Sequence, residues 1–310
     1  ESFKSVDQSL KAFLGSSQVI DHDPFVSYFK SLPEWDGIDH IGNLAKFVNA
    51  EDKMWWSTMF TKALVRNCAC ATGFVNYNKQ CIVLFGGTNA GKSKFVRFLV
   101  PPTLKNYFNE NPNIGNRDDK DARLSIAKNF ITNLDDIGNI RESELKEMKA
   151  IFTQETVNER LIYDRNNSML TRRTTFWGTA DKEEFLTDEQ GNVRWVIIKI
   201  TSILHNEGGE NGYNQKVDID KVWAQAYHLL KSGFKFTLTN EEIEYSEKNN
   251  KENYMKTTLE EELITRYYMP AERKTEKAVF LTATDITLRL EELSKKTTLK
   301  NVGIALKKLG

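Results

Sequence analysis

Residues 86 to 93 read Gly86-Gly87-Thr88-Asn89-Ala90-Gly91-Lys92-Ser93. They stand between the apolar run Cys81-Ile82-Val83-Leu84-Phe85 and a stretch of helical character that stops at Pro101-Pro102. This segment constrains the fold more than any other. Its glycines let the backbone curl until successive N–H groups face one point. A lysine and a hydroxyl follow at the spacing that reaches the β- and γ-phosphates of a nucleotide and its Mg²⁺. The helix that begins there turns its positive end toward the same anion. A buried strand before the loop and a helix after it are the setting in which such a loop binds phosphate. Gly86, Gly87, Thr88, Asn89, Ala90, Gly91, Lys92 and Ser93 are therefore expected to hold ATP, with Ser93 on Mg²⁺.

A strand apolar at consecutive positions is covered on both faces, which implies parallel neighbours and helices on either side. Asn129–Leu134, Arg173–Gly178 and Arg194–Ile200 have the same character, and helical patterns fill 142–152 and 220–231 between and after them. Alternation of this kind predicts an α/β fold with a largely parallel sheet. Asp135-Asp136 ends the second of these strands. Asp135 is expected to share the Mg²⁺ with Ser93, and Asp136 to orient the attacking water. Hydrolysis also needs a γ-phosphate sensor and a positive charge for the transition state. Thr179-Ala180-Asp181 offers the sensor. Arg194 either reaches a neighbouring subunit's nucleotide or is an ordinary strand-edge charge.

The remaining sequence divides around that core. Residues 1–75 read as a helical N-terminal domain, 76–240 as the ATPase core and 241–256 as a charged solvated helix or linker. Residues 257–310 follow the order helix, strand (Ala278–Leu281), helix, tight turn, helix, with Thr282-Ala283-Thr284-Asp285 as a capping box. That is the order of a winged helix, truncated before its wing. Its end carries Lys295, Lys296, Lys300, Lys307 and Lys308 and no acid from 295 onward, although 43 basic residues balance 43 acidic ones in the whole chain. DNA binding, protein docking or a passive cap each fit this segment. A wholly basic nucleic-acid coat is excluded. No apolar run approaches the roughly 18 residues of a membrane span, and no secretory signal opens the chain. Three cysteines, Cys68, Cys70 and Cys81, and four scattered histidines argue for a reducing, cytoplasmic setting and for packing roles. The start without Met and the end inside a patterned segment suggest a piece of something longer.

The ordered set resembles the virulence-associated E family of P-loop ATPases, which are similar to superfamily 3 helicases and to the AAA+ class. The shared elements are Trp35-Asp36-Gly37, the phosphate loop, the acidic strand end, Arg160-Leu161-Ile162-Tyr163, Phe176-Trp177-Gly178-Thr179, and Phe185-Leu186-Thr187-Asp188 leading to Gly191-Asn192-Val193-Arg194-Trp195. Asp181 replaces the family's usual Asn, and Val193-Arg194 stands where two arginines are common. The resemblance implies an AAA+-like core, a hexameric ring, ATP- and Mg²⁺-dependent work on DNA, single-stranded above all, in replication of a mobile element, and an upstream primase-like domain. It also implies a β-hairpin between the acidic strand and the sensor strand, aimed into the ring channel. Arg165 at its tip is expected to meet DNA phosphates. Arg172 and Arg173 beside it are expected to meet DNA or nucleotide, unless the interval is only an exposed loop. A nucleotide-gated binding module without helicase activity is the rival reading. A small-molecule kinase is disfavoured, since no compact acceptor lid is evident.

Overall fold

The computed structural model describes residues 22–76, 78–110, 120–159, 168–186, 192–205, 211–271 and 278–309, with residues 6, 9, 10 and 13. Its elements in chain order are α1 (Pro24–Ser31), α2 (His40–Ala45), β1 (Val48–Ala50), α3 (Lys53–Ala71), β2 (Cys81–Phe85), α4 (Lys92–Phe98) and β3 (Phe108–Glu110). They continue as α5 (Lys120–Lys128), β4 (Ile131–Leu134), α6 (Glu142–Thr153), β5 (Thr156–Glu159), β6 (Ser168–Thr171), β7 (Thr175–Ala180) and β8 (Trp195–Ile203). The last are α7 (Tyr213–Lys216), α8 (Ile219–Lys231), α9 (Asn240–Asn253), α10 (Leu259–Tyr267), α11 (Ala283–Leu293) and α12 (Leu299–Leu309).

Six strands form one sheet in the order β1-β8-β2-β7-β4-β3. Only the β1–β8 pair is antiparallel; the other four pairs are parallel. The mixed α/β fold with a mostly parallel sheet follows the sequence pattern. Strand residues alternate between two cores, as the period of two requires. Ile82 and Leu84 of β2 face the core built with Phe29, Phe60, Phe95 and Trp223, while Cys81, Val83 and Phe85 face the core built with Phe152, Phe185 and Tyr254.

Local chemistry fixes the helix starts. The Asp23 carboxylate accepts the N–H groups of Phe25 and Val26, both at 3.0 Å, and Pro24 occupies the first turn of α1. Thr239–Glu242, Thr258–Glu261 and Thr282–Asp285 form capping boxes at α9, α10 and α11.

Three expectations need correction. The segment 22–75 is no separate helical domain: its side chains share one core with the sheet and with α8, and β1 joins the sheet itself. Segment 240–253 is a docked helix, with the buried Ser246 hydroxyl and Asn250 amide donating to the Trp195 carbonyl at 3.2 and 2.7 Å. Residues 278–281 form no strand, and Phe280 is 90% exposed. Among the described residues the C-terminal unit is thus three helices, α10 to α12, around Ile264, Ile286, Leu290, Val302 and Ala305.

Candidate functional site

The parallel register brings the strand ends to one edge. Phe85, the last residue of β2, is level with Ala180 of β7 and Lys199 of β8, and Leu134 of β4 with Gly178. The residues that follow β2, β4 and β7 are the phosphate loop, Asp135-Asp136 and Asp181. They meet around one cavity of about 430 Å³, lined by Thr88 to Lys94, Asp135, Asp136, Thr179 to Asp181 and His205.

Glycine is required at two points of the loop. A β-carbon on Gly86 would lie 2.5 Å from the Ile200 carbonyl oxygen of β8. Gly91 has φ +88°, and a β-carbon there would lie 2.8 Å from the His205 ring. Asn89 at the loop tip (φ 63°) and Asp136 (φ 52°) are also left-handed, a conformation that Asn and Asp tolerate better than most residues.

The Lys92 ammonium is folded over its own loop, donating to the carbonyls of Gly86 and Gly87 at 2.7 and 2.8 Å. Burial pushes it below the ordinary lysine value, against the opposing pull of Asp181, Asp135 and Asp136. Asp135 gathers the three elements at one atom. The Ser93 hydroxyl donates to its Oδ1 at 2.5 Å and the Thr179 hydroxyl to the same oxygen at 2.6 Å. Thr179 Oγ1 in turn accepts the Asp136 N–H at 3.0 Å. Asp136 Oδ2 accepts from the Asn139 amide, whereas Oδ1 is buried with no hydrogen-bond partner among the described residues. An unsatisfied buried carboxylate oxygen is costly and marks a place for a ligand or water. A hydroxyl and a carboxylate side by side, beneath a loop of phosphate-binding form, fit Mg²⁺ held with a nucleotide, since that ion keeps few protein ligands. Asp181 Oδ2 accepts from the Thr88 hydroxyl at 3.1 Å on the rim.

Other expected residues lie elsewhere. Arg194 precedes β8 at Trp195, which is level with Cys81, at the edge of the sheet away from the loop. Four strand residues, roughly 13 Å, separate Trp195 from the level of Phe85, Arg194 lies one residue further off, and it does not line the cavity. β5 and β6 pair antiparallel, Thr156 opposite Thr171 and Glu159 opposite Ser168. Arg165, expected beyond them, lies outside the described residues, as do Thr187, Asp188 and Gly191. Arg172 is no DNA or nucleotide contact here. It is fully buried, donating to the carbonyls of Phe152 and Asn78, both at 2.7 Å, and of Ile151 at 3.0 Å. Arg173 is likewise engaged, with the Ala71 carbonyl at 2.8 Å and the Asp23 carboxylate at 2.5 Å. Both arginines precede β7 and so lie at the edge opposite the cavity. Lys308 is paired with Glu261 at 2.9 Å, while Lys295, Lys296, Lys300 and Lys307 are exposed. The three cysteines are buried, and burial pushes their thiols up, Cys70 to about 11.

Sequence reasoning missed two features. Thr179, expected only as part of the sensor segment, binds Asp135 through its hydroxyl, and His205 joins the cavity although no local pattern distinguishes it from the other histidines. The one signal is that the apolar periodicity of β8 runs on to Ile203, past the end of its neighbour β2.

Residues 29–256 match the virulence-associated protein E-like domain. No curated protein matches the chain. Among solved structures, the apo NrS-1 C-terminal region (residues 305–718) gives a TM-score of 0.51 at 12% identity, over 77% of this chain and 56% of that one. The A form of the same apo region gives 0.47 at 14% identity, over 71% and 54%. The first likeness is one of fold, and the chain spans little more than half of that structure. Among the described residues no helix is long and apolar enough to cross a membrane.

Proposed function

The chain belongs to the virulence-associated protein E-like family, and from that premise we propose that it is a Mg²⁺-dependent ATPase that couples hydrolysis to movement on DNA. The observation that carries this reading is the Asp135 carboxylate, on which the phosphate loop and β7 converge through Ser93 and Thr179. Bound Mg²⁺ would neutralise charge on the phosphates. Ser93 and Asp135 would hold it, the latter through water. Lys92 would exchange the carbonyls of Gly86 and Gly87 for phosphate oxygens. Asp136, with its buried Oδ1, would accept a hydrogen bond from the attacking water. Arg194 would act on a neighbouring subunit's nucleotide, within a ring that is hexameric by analogy with the family. Its place at the far edge of the sheet agrees with action in trans. The DNA, single-stranded in this reading, would meet the hairpin tip near Arg165 and the exposed lysines of the C-terminal unit. The setting is the cytoplasm, in replication of a mobile element, with a primase-like domain upstream in the same polypeptide.

Steady-state ATP turnover with and without single-stranded DNA tests this. Wild type should show a basal rate that rises several-fold with DNA, and Lys92→Ala should abolish both. Activity retained by Lys92→Ala would sink the site assignment. A second reading, a nucleotide-gated binding module, is favoured by Asp181, whose carboxylate stands on the rim beside Thr88 and would repel a γ-phosphate. ATP binding without turnover in either condition would select that reading.

A further inference from the structure

The acids and His205 approach the loop from opposite sides. β7 and β4 lie on one side of β2 and carry Asp181, Asp135 and Asp136. β8 lies on the other side. It is level with the end of β2 at Lys199 but continues to Ile203, so its last turn forms a wall alongside the loop. β1 braces that overhang from outside, with Val48 opposite Ile203 and Asn49 opposite Ser202. The Leu204 N–H donates to the Phe47 carbonyl at 2.8 Å and the His205 N–H to the Ile203 carbonyl at 3.0 Å. The His205 backbone is thereby fixed, and its half-buried ring sits against Gly91, where a β-carbon would lie 2.8 Å from it.

A triphosphate held by this loop would have its metal-bound end near Ser93 and Asp135. With the acids of β7 and β4 on one side of the loop, the cavity lining on its other side is the end of β8 and His205. We propose that His205 is a binding residue for the nucleoside end of the nucleotide, the ribose and base, and not a packing residue of the loop. This rests on the reading of the loop as a phosphate site. It adds a specificity element that no motif supplies: the phosphates are held by backbone and Lys92, the nucleoside by the β8 wall.

The test is direct calorimetric binding of Mg·ATP and of Mg·tripolyphosphate, which offers three phosphates and no nucleoside. Wild type, His205→Ala and Lys92→Ala are compared as the full chain. His205→Ala should bind ATP about fivefold to tenfold more weakly, the loss of one hydrogen-bonding contact, with tripolyphosphate affinity within twofold of wild type. Lys92→Ala should lose both ligands. Unchanged ATP affinity in His205→Ala would overturn the inference. So would an equal loss of both ligands, which would mean that the ring merely supports the loop. Wild type that binds neither ligand would defeat the phosphate-site reading, and this inference with it. Should His205→Ala unfold at lower temperature than wild type, His205→Asn, which retains a polar planar group, replaces it in the same pair of titrations. The same selective loss of ATP supports the proposal, and its absence overturns it.

Discussion

Gly178 lies inside β7, where glycine ordinarily weakens a strand. A β-carbon there would stand 2.3 Å from Ile137 Cδ1 and 3.4 Å from the Leu134 carbonyl oxygen. Ile137 follows Asp136 directly, so the missing side chain of β7 makes room for the turn that aims the acid. Gly178→Ala should lower stability by about 1–3 kcal/mol through overpacking, read as a lower urea midpoint, and should slow ATP turnover as Asp136 is displaced. Ile137→Val removes the clashing methyl. The double variant should recover at least half of the loss, a coupling visible in a double-mutant cycle. At this scale the sequence is legible where chemistry is consecutive. The loop from Gly86 to Ser93 and the pair Asp135-Asp136 each announce themselves because their members are neighbours in the chain. His205 and the Thr179 hydroxyl are not legible, because their partners, Gly91 and Asp135, arrive from other strands. Arg172 misleads for the same reason. Its charge suggests a phosphate contact, but its environment is decided by four carbonyls that sequence cannot place beside it.

The strands β5 and β6 depend on that arginine. Arg172 follows β6 and binds the last turn of α6 through Ile151 and Phe152, and the approach to β2 through Asn78. Its guanidinium also lies 5.0 Å from the centre of the Phe176 ring. Burial pushes it down to about 10, still charged at neutral pH. Arg172→Leu should leave the two buried carbonyls of Phe152 and Asn78 short of a donor and cost roughly 2 kcal/mol, at about 1 kcal/mol for each. The check pairs chemical unfolding with DNA binding at several salt concentrations. Stability should fall, while the slope of log affinity against log salt stays at the wild-type value. A flatter slope would restore Arg172 as a phosphate contact. The longer strands were readable because β-branched runs mark them. β1 was not, since three residues among helices pair only through the overhang of β8. Ala278–Leu281 has a strand's composition, yet its backbone finds no ladder among the described residues. α9 looks solvated by hydropathy, because the groups it buries against Trp195 are a serine and an asparagine.

The whole molecule joins a continuous α/β body to a small helical unit whose charge is segregated. Acids and bases balance over 310 residues, but Lys300 and Lys307 share one side of α12, seven residues apart, and both are exposed. Lys308 points elsewhere, into a pair with Glu261 whose side chains are 18% and 7% exposed. Charge counted from sequence treats these lysines alike, and the fold does not. Exposed lysines that meet phosphates release counterions, with a salt slope of about −0.7 for each contact to single-stranded nucleic acid. If α12 is a DNA surface, the double variant Lys300→Gln/Lys307→Gln should bind single-stranded DNA more weakly at low salt. Its slope should be smaller in magnitude by about 1.4, that is 0.7 for each of two contacts, with thermal stability near wild type. Lys308→Gln should do the reverse: it should lower the unfolding temperature, because a buried carboxylate loses its partner, and leave the slope unchanged. Anisotropy titrations between low and moderate salt decide between these patterns. An unchanged slope in the double variant would make α12 a docking or capping helix and leave the hairpin side of the core as the DNA surface. The comparison works because one ion-paired lysine and two exposed ones occupy the same helix, so the same chemical change reads packing at one position and phosphate contact at the others.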